Sequence, residues 1–522
     1  MAVLAGCATD PAPSAGPAGS PGSPGSPGST GAGAARSPGL PRSAADFPDG
    51  VIAGDPRPDG TIIWTRVAPA LGAVDLRWEI AEDIDMSRIV KQGTVRADEH
   101  ADLTARVAVG GLQSDRWYHY RFSGPATSSP VGRLRTAPML GSLVKSLRFA
   151  FSSCQQINDS LYVAHRAAAD EPDLDFFMHL GDYIYVHDQK TLTLDDYRGV
   201  YHRFKANPML QDLQAKVPLV AMLDDGEFFN GIDRTAPPDR YRAARRAWAE
   251  TMPVPLGDDD EPFYRSFAWG NLVDLFMIDV RSYRDPAVEA DNTATPEGAV
   301  MLAEGRTTLG ATQKEWLVEG LKASNTSWRF LGNPYNMSMV RISDADPGPP
   351  RAPGTQVNGG TYFPNEAWDD YNAERREVLQ AIVDDGVRDV VSVSGHTHVW
   401  IAGLLKADFD DDAAPVAGFD FTCGSLTADP DVLDVEGSTA DKERTKNQAL
   451  AQVGQQINQH LRYLNLIDQG YGLVTVTPEQ VVVEFKLIDP FDEQAEAKVG
   501  ARFVLPRRAT DVTVERFADA ER

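Results

Sequence analysis

The chain has 522 residues, 42% hydrophobic and 9% aromatic, too long for one ordinary domain and rich enough in apolar residues to bury a large core. Asp and Glu total 75 against 50 Lys and Arg, and the net charge of -25 argues against nucleic acid as a stable partner, because polyanion binding rests on clustered cations. Three cysteines make no disulfide framework, and no apolar run approaches the length of a membrane span.

In chain order, Leu4-Ala5-Gly6-Cys7 comes first and resembles a bacterial lipobox, whose Cys is lipidated and becomes the mature N-terminus. On that reading residues 1–7 are a truncated lipoprotein signal. A lipid on Cys7 would anchor the chain to a membrane, and the protein is expected to be extracytoplasmic, at the cell surface or secreted. Residues 8–45 are dominated by Pro, Gly, Ser and Ala, with Ser-Pro-Gly repeated through 20–29. Such a segment has too little apolar surface to offset its ordering entropy and is expected to act as a disordered spacer. From 46 to 138 the signals are short strands. Residues 61–67 follow the turn Arg57-Pro58-Asp59-Gly60, and 75–80 and 116–122 alternate with period two. A fibronectin- or immunoglobulin-like β-sandwich is expected there.

After Leu147 the apolar runs become continuous and are separated by helical stretches at 160–169 and 312–323, the second opening with Thr312 and Glu315 in capping-box spacing. Continuous apolar strands alternating with helices predict an α/β domain, 146–505, whose sheets are covered on both faces. A charged tail, 506–522, follows.

Four apolar runs end directly in polar, metal-capable residues. Residues 149–153 lead to Cys154, 176–180 to Gly181-Asp182-Tyr183-Ile184-Tyr185, 218–223 to Asp224-Asp225-Gly226-Glu227, and 390–394 to Gly395-His396-Thr397-His398. Ligands of open α/β sheets gather beyond the carboxyl ends of the strands, so these segments are expected to converge. Together they offer thiolate, phenolate, carboxylate and imidazole donors, a set suited to transition metals more than to magnesium alone. Two neighbouring cations can clamp and polarise a phosphoryl group and activate water near neutral pH. Arg281 and Asn333 follow or end further apolar strands and are candidate phosphate contacts. Salt bridges from Arg281 or Arg284 to Asp279 or Asp285, and a turn role for Asn333, are the alternatives. For Cys154 the alternatives are a buried structural thiol or a disulfide with Cys423. The acidic run Asp408, Asp410, Asp411, Asp412 reads as a solvated surface, and His179 as a core histidine with its hydrogen bonds satisfied; His100, His119, His165, His187 and His202 carry no spacing that marks a site.

The Gly-Asp-x-x-Tyr and Gly-His-x-His segments resemble calcineurin-like metallophosphoesterases, among them purple acid phosphatases. With 50–56, Trp64-Thr65-Arg66, Ser152-Ser153-Cys154, 277–284, Leu331-Gly332-Asn333 and Trp368-Asp369-Asp370-Tyr371, the chain from Phe47 onward is similar to the alkaline phosphatase D (PhoD-like) family. The resemblance implies a β-sandwich followed by a four-layered α/β/β/α metallophosphoesterase domain. It implies that Cys154, Asp182, Tyr185 and His398 hold Fe3+, and that Asp182 bridges to a second metal, Ca2+ in this family, at a site including Asp225. Two positions depart from the family pattern. Gly226 stands where a His expected to contact phosphate is usual, and His396 where an Asp is common. An imidazole suits Zn2+ or Mn2+ better than Ca2+. The expected function is hydrolysis of phosphate mono- or diesters outside the cytoplasm, with Asp225 and His396 as metal ligands that also take part in catalysis. The alternative is a weakly active or non-catalytic relative that binds phosphate polymers, motivated by Gly226.

Overall fold

The computed structural model describes residues 45–186, 190–255, 262–287, 303–343, 358, 361–362, 367–430 and 440–517. The Cys7 lipobox, nearly all of the expected spacer, His187, and parts of the segments 286–308, 340–366 and 425–460 expected to shape or lid the site lie outside these residues. Within the last of these, Ala440–Ile457 is a helix.

Two large sheets stack face to face. In the first, the parallel strands Leu147–Ser152, Phe176–His179 and Leu219–Ala221 stand at the centre. In the second, Val273–Met277, Trp328–Tyr335, Val390–Gly395 and Val416–Thr422 run parallel in that order. Alternate residues explain the continuous apolar runs. Phe149, Phe151, Phe176, Met178 and Val220 point between the sheets, where they meet Leu275, Met277, Phe330, Val391 and Val393. Their neighbours Ala150, Phe177, Leu219 and Ala221 point outward, under the helices Val163–Ala169, Leu194–Lys205, Pro208–Lys216 and Pro238–Thr251. On the far side Phe276, Leu331 and Val390 lie under Gly310–Ala323 and Asn372–Asp384. Both faces of these central strands are therefore dry, and the order is helix, sheet, sheet, helix.

The N-terminal region is a β-sandwich, but one of its two layers is shared. Its four-stranded sheet, Ile89–Ala97, Val74–Ala81, Trp117–Ser123 and Gly132–Arg135, packs on the strands Val51–Arg57, Gly60–Arg66 and Thr104–Val109. Those three continue the first large sheet to ten strands through the parallel pair Gly54↔Leu219. A Cβ at Gly54 would lie 2.6 Å from Leu219 O, so glycine is what lets the two regions zip together. The expected tail also differs: Thr513–Arg516 pairs antiparallel with Lys498–Pro506 as an edge strand. The expected capping box at Thr312 does not form. The helix starts at Gly310, and the Glu374 carboxylate, from another helix, accepts from Thr308 N and Leu309 N instead. No helix among the described residues is long and apolar enough to cross a membrane.

Lys205 lies at the joint of the two regions, 1% exposed and with no hydrogen bond to its Nζ. The amine sits 4.4 Å over the Trp64 ring and 5.2 Å over the Tyr183 ring. Burial outweighs the help of Asp49 and brings its pKa down to about 7. The unfolded amine titrates near about 10.4. Between these values the unfolded chain holds a proton that the native chain has shed, so this group makes stability rise with pH from about 7 to about 10.4. Lys205→Met, apolar and of similar length, is expected to flatten that rise and to raise the Tm near neutral pH. A Tm-versus-pH profile identical to that of the parent protein would refute this.

Candidate active site

The strand ends do converge. Cys154 Sγ, an Asp182 oxygen and a His398 ring nitrogen lie within 4.8 Å of one another, and so do donor atoms of Asp182, Asp224, Asp225 and His396. Tyr185 joins the first group, with its Oη 3.2 Å from His398 Nε2. His398 Nδ1 lies 2.8 Å from the Asp429 carbonyl; donating there turns Nε2 inward, toward Tyr185 Oη. Asp182 belongs to both groups.

Backbone shape brings this about. Cys154 (φ 59), Asp182 (φ 54), His396 (φ 70) and His398 (φ 52) all occupy left-handed conformations, which residues with a Cβ rarely adopt. Each turns the chain sharply at a strand end. Such strain persists only where the surroundings over-determine it. Glu227 supplies part of that constraint. It is fully buried, and its carboxylate accepts from Asp182 N at 3.2 Å, Tyr183 N at 2.6 Å and Asp224 N at 2.8 Å. One side chain thereby ties the two loops that carry three carboxylates. Burial and nearby Asp182 push its pKa up, while the three N–H donors favour its charged form.

The electrostatics of the second group centre on Arg281, itself fully buried. Its Nε is in close contact with Asp224 Oδ1, and its Nη2 lies 3.7 Å from Asp225 Oδ2 and 3.3 Å from the His396 ring nitrogens. Although burial opposes ionisation, Arg281 and His396 hold Asp224 well below the usual carboxylate range. Burial, with Asp224 and Asp182 adding to it, takes Asp225 up to about 7, and the Gly231 N–H anchors its Oδ2 at 2.9 Å. For His396 the Asp224 carboxylate outweighs burial and raises the imidazole well above its ordinary value.

Several sequence alternatives are settled. Cys154 and Cys423 are both free and buried, not a disulfide. Ser153 Oγ lies 3.0 Å from one sulfur and 3.9 Å from the other. Arg281 makes no salt bridge to Asp279, whose Oδ1 accepts the backbone N–H groups of Arg281 and Ser282. Arg284 Nε donates to Ile232 O, and Asp285 pairs with Arg234. Asn333 is fully buried in register with Ser394; its Oδ1 accepts from Trp368 Nε1 at 3.3 Å and its Nδ2 has no hydrogen bond. The acidic run near Asp410 is a knot of turns tied to Arg341 and Lys406. His179 lies in the core, edge-on to Tyr183, with neither ring nitrogen hydrogen-bonded. Glu227 stood in the sequence only as the end of a matching segment; its bond to Asp224 N is local, while those to Asp182 N and Tyr183 N are tertiary and carry no local signal. Asp224, the less favoured of its pair, belongs to the cluster alongside Asp225.

The donor set fits metal ions. Burial and Asp182 push the Cys154 thiol and the Tyr185 phenol far above their ordinary pKa values, so both stay protonated unless a cation offsets their charge. Asp224 Oδ2 sits 2.7 Å from His396 Nδ1 as an ion pair, and a cation bound by these donors would replace the proton that the raised imidazole holds there.

Exchanging Glu227 for Gln keeps its shape but turns an acceptor into a donor facing backbone N–H groups. A loss of about 1–3 kcal/mol in stability is expected, with a fall in phosphatase activity. Denaturant unfolding and turnover measured on one preparation check both.

A model of the PhoD-like phosphatase family matches residues 149–485, and a model of the PhoD-like phosphatase N-terminal domain matches 33–138. Alkaline phosphatase D of Bacillus subtilis (strain 168) is 29% identical over 497 residues, covering 88% of this chain and 80% of that protein. A solved structure of PhoD superposes with a TM-score of 0.78 at 28% identity, covering 90% of this chain and 92% of the other. A purple acid phosphatase from yellow lupin (Lupinus luteus) seeds shares the fold at a TM-score of 0.52 and 11% identity, covering 84% of this chain and 71% of the other. With two donor groups meeting at Asp182 and a family match spanning most of its length, the chain belongs to the PhoD-like phosphatases and is a phosphoric ester hydrolase.

Proposed function

We propose that the chain is an exported alkaline phosphatase or phosphodiesterase working at a two-cation centre, and the sharing of Asp182 between two donor groups is the observation that carries this reading. Cys154, Asp182, Tyr185 and His398 would hold Fe3+. Asp182, Asp224, Asp225 and His396 would hold the second ion. Three carboxylates there favour Ca2+, and one imidazole favours Zn2+ or Mn2+. Bound cations would supply Lewis-acid polarisation of the phosphoryl oxygens and activation of water.

The chain's own residues set the geometry. Arg281 is shut behind Asp224 with no exposed surface, so its role is to position that carboxylate and the His396 ring, in place of the direct phosphate contact expected from sequence. Asn333 is as buried as Arg281, and it stays a proposed phosphate contact because its Nδ2, unlike the Arg281 guanidinium, has no hydrogen bond. Asp225 and His396 belong to the same group and are the proposed residues for proton handling near the substrate. A net charge of -25 repels an anionic ester at long range, so cations at the cleft also serve to reverse the local field.

Elemental analysis of protein purified without added metal is expected to find iron and a second metal. Chelation should abolish turnover of both a monoester and a diester, and Asp182→Asn should lose both metals together. Metal loss confined to one site in that variant would break the shared-ligand reading. No turnover with any of these metals would favour the phosphate-polymer-binding alternative that Gly226 motivates. Export with a lipid on Cys7 is a separate part of the proposal, supported by the Leu4-Ala5-Gly6-Cys7 pattern alone. Cys7→Ser is expected to move the chain from the membrane to the soluble fraction; unchanged fractionation would remove the anchor from this reading.

A further inference from the structure

Behind the cleft, Gln155 uses every polar group it has. Its N–H donates to Asp182 O at 3.1 Å, and its Nε2 donates to Tyr183 O at 2.7 Å. Its carbonyl accepts from Tyr162 Oη at 2.9 Å, and its Oε1 lies 2.9 Å from His165 Nε2. The directions of these bonds follow from chemistry. A carbonyl only accepts, so the Gln155 amide must turn its NH2 to Tyr183 O and its oxygen to His165. His165 must therefore donate from Nε2, which fixes the neutral tautomer with Nδ1 bare, and Nδ1 indeed has no partner. Both side chains are fully buried, and the imidazole is held flat against the Tyr162 ring at 4.4 Å. Burial also keeps the ring neutral by lowering its pKa.

Gln155 directly follows Cys154, and its bonds end on Asp182 and Tyr183. It therefore spans two of the left-handed residues whose side chains must meet. We propose that Gln155 and His165 are a positioning pair that sets the distance between the Cys154 and Asp182 loops before any metal binds. His165 acts one step removed, by holding the Gln155 amide the right way round. This inference rests on the reading that Cys154 and Asp182 hold a metal.

The test is metal retained per chain, by elemental analysis, after dialysis of the full-length protein against graded chelator. Gln155→Leu and His165→Phe are expected to release metal at about tenfold lower chelator than the parent. His165→Gln, whose amide can still donate to Gln155, should behave like the parent. Should His165→Phe fail to fold, Gln155→Met replaces it: it keeps the length of the side chain but neither accepts from His165 nor donates to Tyr183 O, and must show the same loss. Parent-like retention in Gln155→Leu, or equal losses in His165→Phe and His165→Gln, would overturn the pairing. Cys154→Ser separates the two levels of the argument. If it loses metal while Gln155→Leu does not, only the positioning role fails; if it retains metal fully, the metal reading fails beneath it.

Discussion

Left-handed backbone at the strand ends is the constraint on which the rest of the molecule depends. Cys154, Asp182, His396 and His398 all carry side chains through a region of φ that L-residues avoid, at a cost of roughly 1–3 kcal/mol each. A straight strand exit would carry these side chains past the cleft. The bend aims them into it, and the surrounding structure must supply the missing stability. It does so in layers. The dry interior between two sheets fixes where the strands end. Glu227 ties the Asp182 and Asp224 loops through backbone N–H groups. On the other side Ser153 Oγ accepts from His396 N at 3.2 Å, linking the two sheets across the site, and Cys154 N donates to Gly181 O at 3.2 Å between neighbouring strand ends of the first sheet.

The same arrangement concentrates negative charge where it is hardest to hold. Three carboxylates share the second donor group, and Arg281 is the cation in close contact with them. Arg281 pairs closely with one of them, through Asp224 Oδ1, while Asp224 Oδ2 faces His396. Asp225 is left at 3.7 Å and shows the consequence in its raised proton affinity. A thiol and a phenol beside Asp182 are pushed the same way. The protein alone thus keeps part of its donor set protonated. Charge supplied by cations would release those protons, which is why the fold and the proposed metal chemistry are hard to separate energetically.

These forces also decide how much could be read from sequence. Strands covered on both faces must be apolar at every position, so they stand out as continuous runs, and the polar residue that ends a run marks the cleft. That is why Cys154, Asp182 and the 396–398 pair were legible. The residues that stiffen the cleft were not. Glu227 read as the end of a motif, and Gln155 and His165 carried no periodicity, because single hydrogen bonds made across a folded loop leave no repeat in the sequence. The same blindness applies at Gly310, where Glu374 replaces the local cap that Thr312 and Glu315 appeared to offer. The shared sheet was hidden too, since a parallel contact at Gly54 leaves no pattern in either strand.

The two departures from the family pattern acquire a physical connection in three dimensions. Gly226 N donates to Asp182 Oδ1 at 2.9 Å, and His396 Nδ1 lies 3.8 Å from Asp182 Oδ2. They approach opposite oxygens of one carboxylate. A Cβ at 226 would lie 2.4 Å from Ile184 O and 2.7 Å from Asp182 Oδ1, so this loop has closed into space that any side chain would need. The missing imidazole therefore leaves no gap, because a backbone N–H holds Asp182 from that side. An imidazole stands at 396 instead, beside Asp224 and against Arg281. Restoring histidine at 226 alone would push on Asp182 and disturb both donor groups. Both positions bear on Asp182, which is the group through which a change at one would reach the other.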